Sequence, residues 1–273
     1  MTHQRPFATS AVTEPSAPAP NVEVVLGIDH VNVAARDPVQ LAGALQKVLG
    51  LTAAWSHDTP FVTIGLAAGP AVTVAVDRSA GEVPFLVPGA TSRFAAIAFA
   101  PIPTKQALAA LDRRGIPHNP PSALPDWTTT FLPGLLNDSD MAFLCEYTTR
   151  ADFQALQACI VDEYLAERAR TPGVAELVEV VLHATPEAPT LWQHLLGPPT
   201  QPGQWSFATG PSLILEPGPV NRIDRLVFAV DQYDTAVPGL RSAGVPFSED
   251  AGSLTFDPAV FDGLRIALTP GQR

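Results

Sequence analysis

The chain has 273 residues, 46% hydrophobic and 16% charged, which is the composition of a soluble globular protein with room for one large domain or two smaller ones. Its 16 basic and 27 acidic residues give a formal charge of −11, and the lack of any Lys/Arg cluster argues against a nucleic-acid partner. No apolar run approaches the roughly 18 residues that span a bilayer. The two cysteines, Cys145 and Cys159, make neither a disulfide framework nor a zinc spacing, so a cytoplasmic protein with no membrane association is expected.

Residues 1–21, rich in Pro, Ala, Ser and Thr and without a signal-peptide core, read as a disordered tail. A first unit opens at Leu26–Ala34, an alternating strand with β-branched residues. Leu41, Leu45, Val48 and Leu49 then recur at helical spacing, between a turn at Asp37 and a stop at Gly50. Short apolar runs at 52–57, 61–66 and 71–76 complete the order strand, helix, strand, strand, strand. A second unit follows, with a strand at Arg93–Phe99, a helix over Thr104–Arg114 stopped by Gly115, and strands starting at Ile116, over Thr128–Leu132 and over Met141–Tyr147.

Residues 152–170 carry apolar positions at helical spacing and read as a helix between two halves. The third unit has a strand at Leu177–His183 and a helix at Pro189–Leu196 closed by Gly197. The fourth has strands at Asp224–Val230, Ser253–Phe256 and Leu264–Leu268, and a helix ending at Gly244. Units of this size cannot bury a sheet face alone, so they should pair. The expected division is 22–150, a connecting helix over 151–172, and 173–273.

The opening Ile28-Asp29-His30-Val31 is echoed at Ile223-Asp224-Arg225-Leu226, where arginine replaces histidine. With Phe143-Leu144-Cys145-Glu146-Tyr147 and the fourfold element order, the chain resembles the vicinal oxygen chelate superfamily, and within it the glyoxalase-like domain proteins. The resemblance implies an α+β fold of four βαβββ modules paired into two cupped, incomplete β-barrels with helices outside. It also implies a divalent metal held by residues of the first and last strands of paired units. Carried over by position, His30 is the first-strand ligand of unit one and Glu146 the last-strand ligand of unit two. The remaining positions fall on Ala95 and on Ala75 or a neighbour, which are not ligands. In the second half Arg225 and Ala267 stand at ligand positions and unit three offers Glu179 or His183, so no metal is expected there and that half reads as degenerate.

Imidazole and carboxylate together suit iron, manganese, zinc or nickel and leave positions open for a substrate with adjacent oxygens. His57 and His118 are candidates to complete the set or to touch substrate. Asn32 shares the face of His30, and Trp127 is a candidate for the rim of the cup. Glu146 is also the candidate catalytic residue. If buried it needs a metal, a cation or a raised pKa, the last making it a general base, whereas strand alternation also allows it to face solvent. Arg225 could grip a carboxylate bidentately or form a surface ion pair. Three functions follow. The first is a metal-dependent enzyme on a small oxygenated molecule, with lyase, isomerase, oxygenase and hydrolase chemistry all open. The second is a metal-free small-molecule binder of the bleomycin-resistance type. The third is a structural role for units three and four, with a homodimer left open.

Overall fold

Two antiparallel strand pairs form the centres of two sheets, and everything else is added outward from them. The computed structural model describes residues 23–55, 61–65, 71–75, 90–123, 127–147, 174–208 and 210–271. The predicted tail, the predicted helix over 152–170 and His57 lie outside these residues.

The first sheet takes β1 (Val25–Ala34), β2 (Thr52–Trp55), β3 (Phe61–Gly65), β4 (Ala71–Ala75), β5 (Arg93–Pro101), β6 (Ser122–Ala123), β7 (Trp127–Phe131) and β8 (Met141–Tyr147). They lie in the order β2-β3-β4-β1-β5-β8-β7-β6, with β1 antiparallel to β5 and each of these parallel to the last strand of its own unit. Helix α1 (Pro38–Leu49) starts where Asp37 accepts a hydrogen bond from the Gln40 N–H at 3.0 Å, and it stops at Gly50, which has φ 69°. Helix α2 (Thr104–Arg114) matches its predicted span. The strand predicted from Ile116 is absent. Pro117, Pro120 and Pro121 supply no N–H to a ladder, and pairing resumes only at Ser122.

The second sheet takes β9 (Val174–Ala184), β10 (Gln204–Trp205), β11 (Ser212–Pro217), β12 (Arg222–Val230), β13 (Phe247–Asp250), β14 (Ser253–Phe256) and β15 (Arg265–Pro270), in the order β10-β11-β9-β12-β15-β14-β13. Helices α3 (Ala188–Leu196) and α4 (Tyr233–Ser242) cross between strands. Among the described residues the third unit has three strands, one fewer than the others. Neither sheet closes on itself, so the α+β architecture of paired, incomplete barrels is the one observed.

One core joins the halves. The apolar faces of the four described helices and one face of each sheet meet in it, with Phe99 of β5 edge-on to Trp192 of α3 at 5.9 Å. Asp262 fastens the seam: its carboxylate accepts from the Ser92 hydroxyl at 2.7 Å and pairs with Arg36 at 2.7 Å. The adjacent Gly263, at φ 102°, leaves no room for a Cβ, which would fall 2.6 Å from the Thr91 hydroxyl. The far face of each sheet, turned away from this core, carries its own small cluster. Ala34, Ala95, Ala96, Ala98, Phe143 and Cys145 form one, and Val181, Val227 and Ala267 the other. Among the described residues no helix is long and apolar enough to cross a membrane.

Candidate functional site

Both central pairs carry the same irregularity. In β1 the register skips Asp29 between Ile28 and His30, and in β12 it skips Asp224 between Ile223 and Arg225. Such a bulge breaks strict alternation and brings two consecutive side chains to one region of the sheet. The partner strands skip Ala95 in β5 and Val178 in β9. The position in β5 that mirrors His30 is therefore Ala96 rather than Ala95, and the one in β9 that mirrors Arg225 is Glu179.

On the first sheet His30 stands on the far face, its ring edge-on to Phe143 at 5.6 Å. Its Nδ1 lies 2.6 Å from Asp29 Oδ1, which also accepts from the Tyr147 hydroxyl at 2.9 Å. Burial first, then the Asp29 charge, pushes the Cys145 thiol up to about 12, and the same two causes raise the Tyr147 phenol. Cys145 is thus an unreactive buried thiol. Asn32 is 5% exposed, and its Oδ1 has no hydrogen-bond partner. Trp127 opens β7 opposite Tyr147 and packs, half-buried, against the far-face cluster.

Glu146 does not join this group. Alternation along β8 puts Phe143, Cys145 and Tyr147 on the far face and turns Glu146 to the helices. There its Oε2 accepts the Thr104 N–H at 3.1 Å, at the start of α2, where Pro103 offers no side-chain cap. The carboxylate thus serves the N-terminus of a helix. His118 is also placed elsewhere, tied to Asp112 of α2 at 3.1 Å and to the Asn119 carbonyl at 3.2 Å. The His30–Glu146 pair expected from the sequence does not converge, and His118 does not complete it.

The ligand-type residues gather on the second sheet, where none were expected to act. His183 of β9, Glu216 of β11 and Asp224 of β12 bring one nitrogen and two carboxylate oxygens within 4.8 Å of one another. This is the only such trio among the described residues. Glu216 is the register partner of His183 in the parallel β11–β9 pair, and His183 Nε2 is 3.5 Å from Asp224 Oδ1. Gly218 makes the seat: a Cβ there would fall 2.5 Å from the His183 Cβ and 2.7 Å from its Cγ. Two arginines hold the carboxylates. Arg225 grips Glu216 with both nitrogens, at 2.7 and 2.5 Å, and Arg265 reaches both oxygens of the buried Asp224 at 2.7 Å. The Arg225 hydrogen bond holds the Glu216 carboxyl below its ordinary range, whereas burial raises that of Glu179. A mixed nitrogen and oxygen set of this kind fits a divalent transition ion.

Sequence reasoning missed Asp224 and Glu216. Asp224 was legible as the repeat of Asp29, but the pairing of Glu216 with His183 depends on a parallel register that no local pattern encodes.

No family model matches the sequence, and no curated protein does. The fold is nonetheless found in solved structures. The 2,3-dioxygenase LapB from Pseudomonas sp. KL28 is similar over 92% of this chain and 94% of its own, at 14% identity and a TM-score of 0.59. A Mn(II)-bound glyoxalase from Novosphingobium aromaticivorans matches 91% of this chain and 83% of its own, at 14% identity and 0.57. A variant of homoprotocatechuate 2,3-dioxygenase from Brevibacterium fuscum matches 94% of this chain and 74% of its own, at 12% identity and 0.60. At these identities the likeness is one of fold.

Proposed function

The fold is that of the vicinal oxygen chelate superfamily, and within it we propose that this protein is a metal-dependent enzyme of the glyoxalase and dioxygenase kind, acting on a small oxygenated molecule at the second sheet. The observation that carries this reading is the convergence of His183, Glu216 and Asp224. These three residues would hold the ion. Iron, manganese, zinc and nickel all accept such a set, and the Mn(II)-bound glyoxalase with the same fold gives manganese a place among them. Coordination bonds of about 2.0–2.2 Å ask only for a modest closing of the trio.

When bound, the ion supplies Lewis-acid polarisation of substrate oxygens. The surrounding residues provide the rest. Gly218 lets His183 lie against the strand in one position, and Arg265 fixes the buried Asp224. Glu179, mirrored across the central pair from Arg225, is a carboxylate whose partial burial raises its proton affinity, which suits it to accept a proton from a bound substrate as general base. Val181, Val227 and Ala267 form an aliphatic floor.

Elemental analysis of the purified protein, compared with its His183→Ala and His30→Ala variants, tests the reading. Stoichiometric metal that is retained in His30→Ala and lost in His183→Ala is expected. The reverse pattern would move the metal to the first sheet and sink the assignment.

A further inference from the structure

We propose that Arg225 is the recognition residue of the second-sheet site and that its substrate is a small carboxylate with a neighbouring oxygen; this rests on the metal reading above. The guanidinium is already arranged for a two-oxygen anion, since both of its terminal nitrogens bond the two oxygens of Glu216. Glu216 is at once the partner of Arg225 and one of the three residues that converge with His183. An ion arriving at His183, Glu216 and Asp224 therefore draws on the carboxylate that now occupies the arginine. What it releases is a fork aligned for another carboxylate.

Charge points the same way. The groups around Arg225 on this face are Glu179 and His183 of β9, Glu216 of β11, Asp224 of β12 and Arg265 of β15. Counted as ions, the three carboxylates outnumber the Arg225 and Arg265 guanidiniums by one. A divalent ion reverses this to one net positive charge. The empty site repels an anion and the loaded site attracts one, so metal binds first and carboxylate second. Arg225 is partly exposed while Asp224 is almost wholly covered, so of the two bulge residues the arginine is the one an incoming molecule reaches; the more exposed Arg265 stays committed to Asp224. The aliphatic floor of Val181, Val227 and Ala267 suits a substrate whose remainder is short and uncharged.

The test uses the full-length protein, Mn(II), and glycolate with its neutral counterpart glycolamide, followed by calorimetry. Glycolate should bind the Mn(II)-loaded protein and not the metal-free one, and glycolamide should bind neither. Arg225→Gln should lose at least about tenfold in glycolate affinity while holding Mn(II) at least as tightly as wild type, because the guanidinium no longer competes for Glu216. Arg225→Lys, which keeps the charge but not the fork, should recover only part of the loss and guards against misfolding of the first variant. Failure of wild type to bind Mn(II) overturns the metal reading and this inference together. Mn(II) binding with glycolate affinity unchanged in Arg225→Gln, or with equal binding of glycolamide, overturns this inference alone.

Discussion

The two halves build the same bulged strand and use it for opposite ends. In β1 the bulge pairs Asp29 with His30, and two neutral-capable donors, the imidazole and the Tyr147 hydroxyl, share one carboxylate oxygen. In β12 the same bulge pairs Asp224 with Arg225, and the aspartate becomes the hub of an ion network with Arg265, Arg225 and His183. The first half has a histidine at this position of β1, and Asp29 is the carboxylate beside it. The second half has an arginine there, and its histidine stands near the end of β9, at His183.

Removing the hub of each half should separate them most. Asp224→Ala leaves two guanidiniums without their buried partner and should cost about 2–3 kcal/mol, less than a fully buried pair because Arg265 is half exposed. Asp29→Ala removes two hydrogen bonds and should cost about 1–2 kcal/mol. Urea titration of both variants measures the gap, and equal losses would erase the distinction between hub and dyad.

Gly218→Ala comes next. Its Cβ would collide with His183, so metal affinity should fall about 10–100-fold although no ligand is changed. Unchanged Mn(II) binding by this variant would mean that His183 does not act from its seat on Gly218. Glu146→Gln should have the smallest effect, about 0.3–1 kcal/mol through the start of α2, with metal content untouched. Loss of metal in Glu146→Gln would restore the first sheet as the metal site.

Much of the architecture was legible because its signals are local. Asp37 and Gly50 bound α1 by hydrogen bonding and by a left-handed φ, and Gly115 closes α2 in the same way. Met141–Tyr147 needed only its apolar run. Ile116 failed as a strand because its own propensity could not outweigh three nearby prolines.

The candidate site was legible only in its parts. Periodicity by itself marked the central strands and the four described helices but not β10, β11 or β13, and the repeated Ile-Asp opening marked β1 and β12 as equivalent. The sequence could also say that Cys145 and Glu146 face opposite ways, since that follows from the period of two along one strand. It could not say which of them faced His30, because that depends on which side of β8 meets the helices. Nor could it bring Glu216 beside His183, since a parallel pairing across a whole helical crossover is set by the packing of the sheet on its core. Tertiary structure alone decided that Glu146 caps a helix and that His183, Glu216 and Asp224 meet.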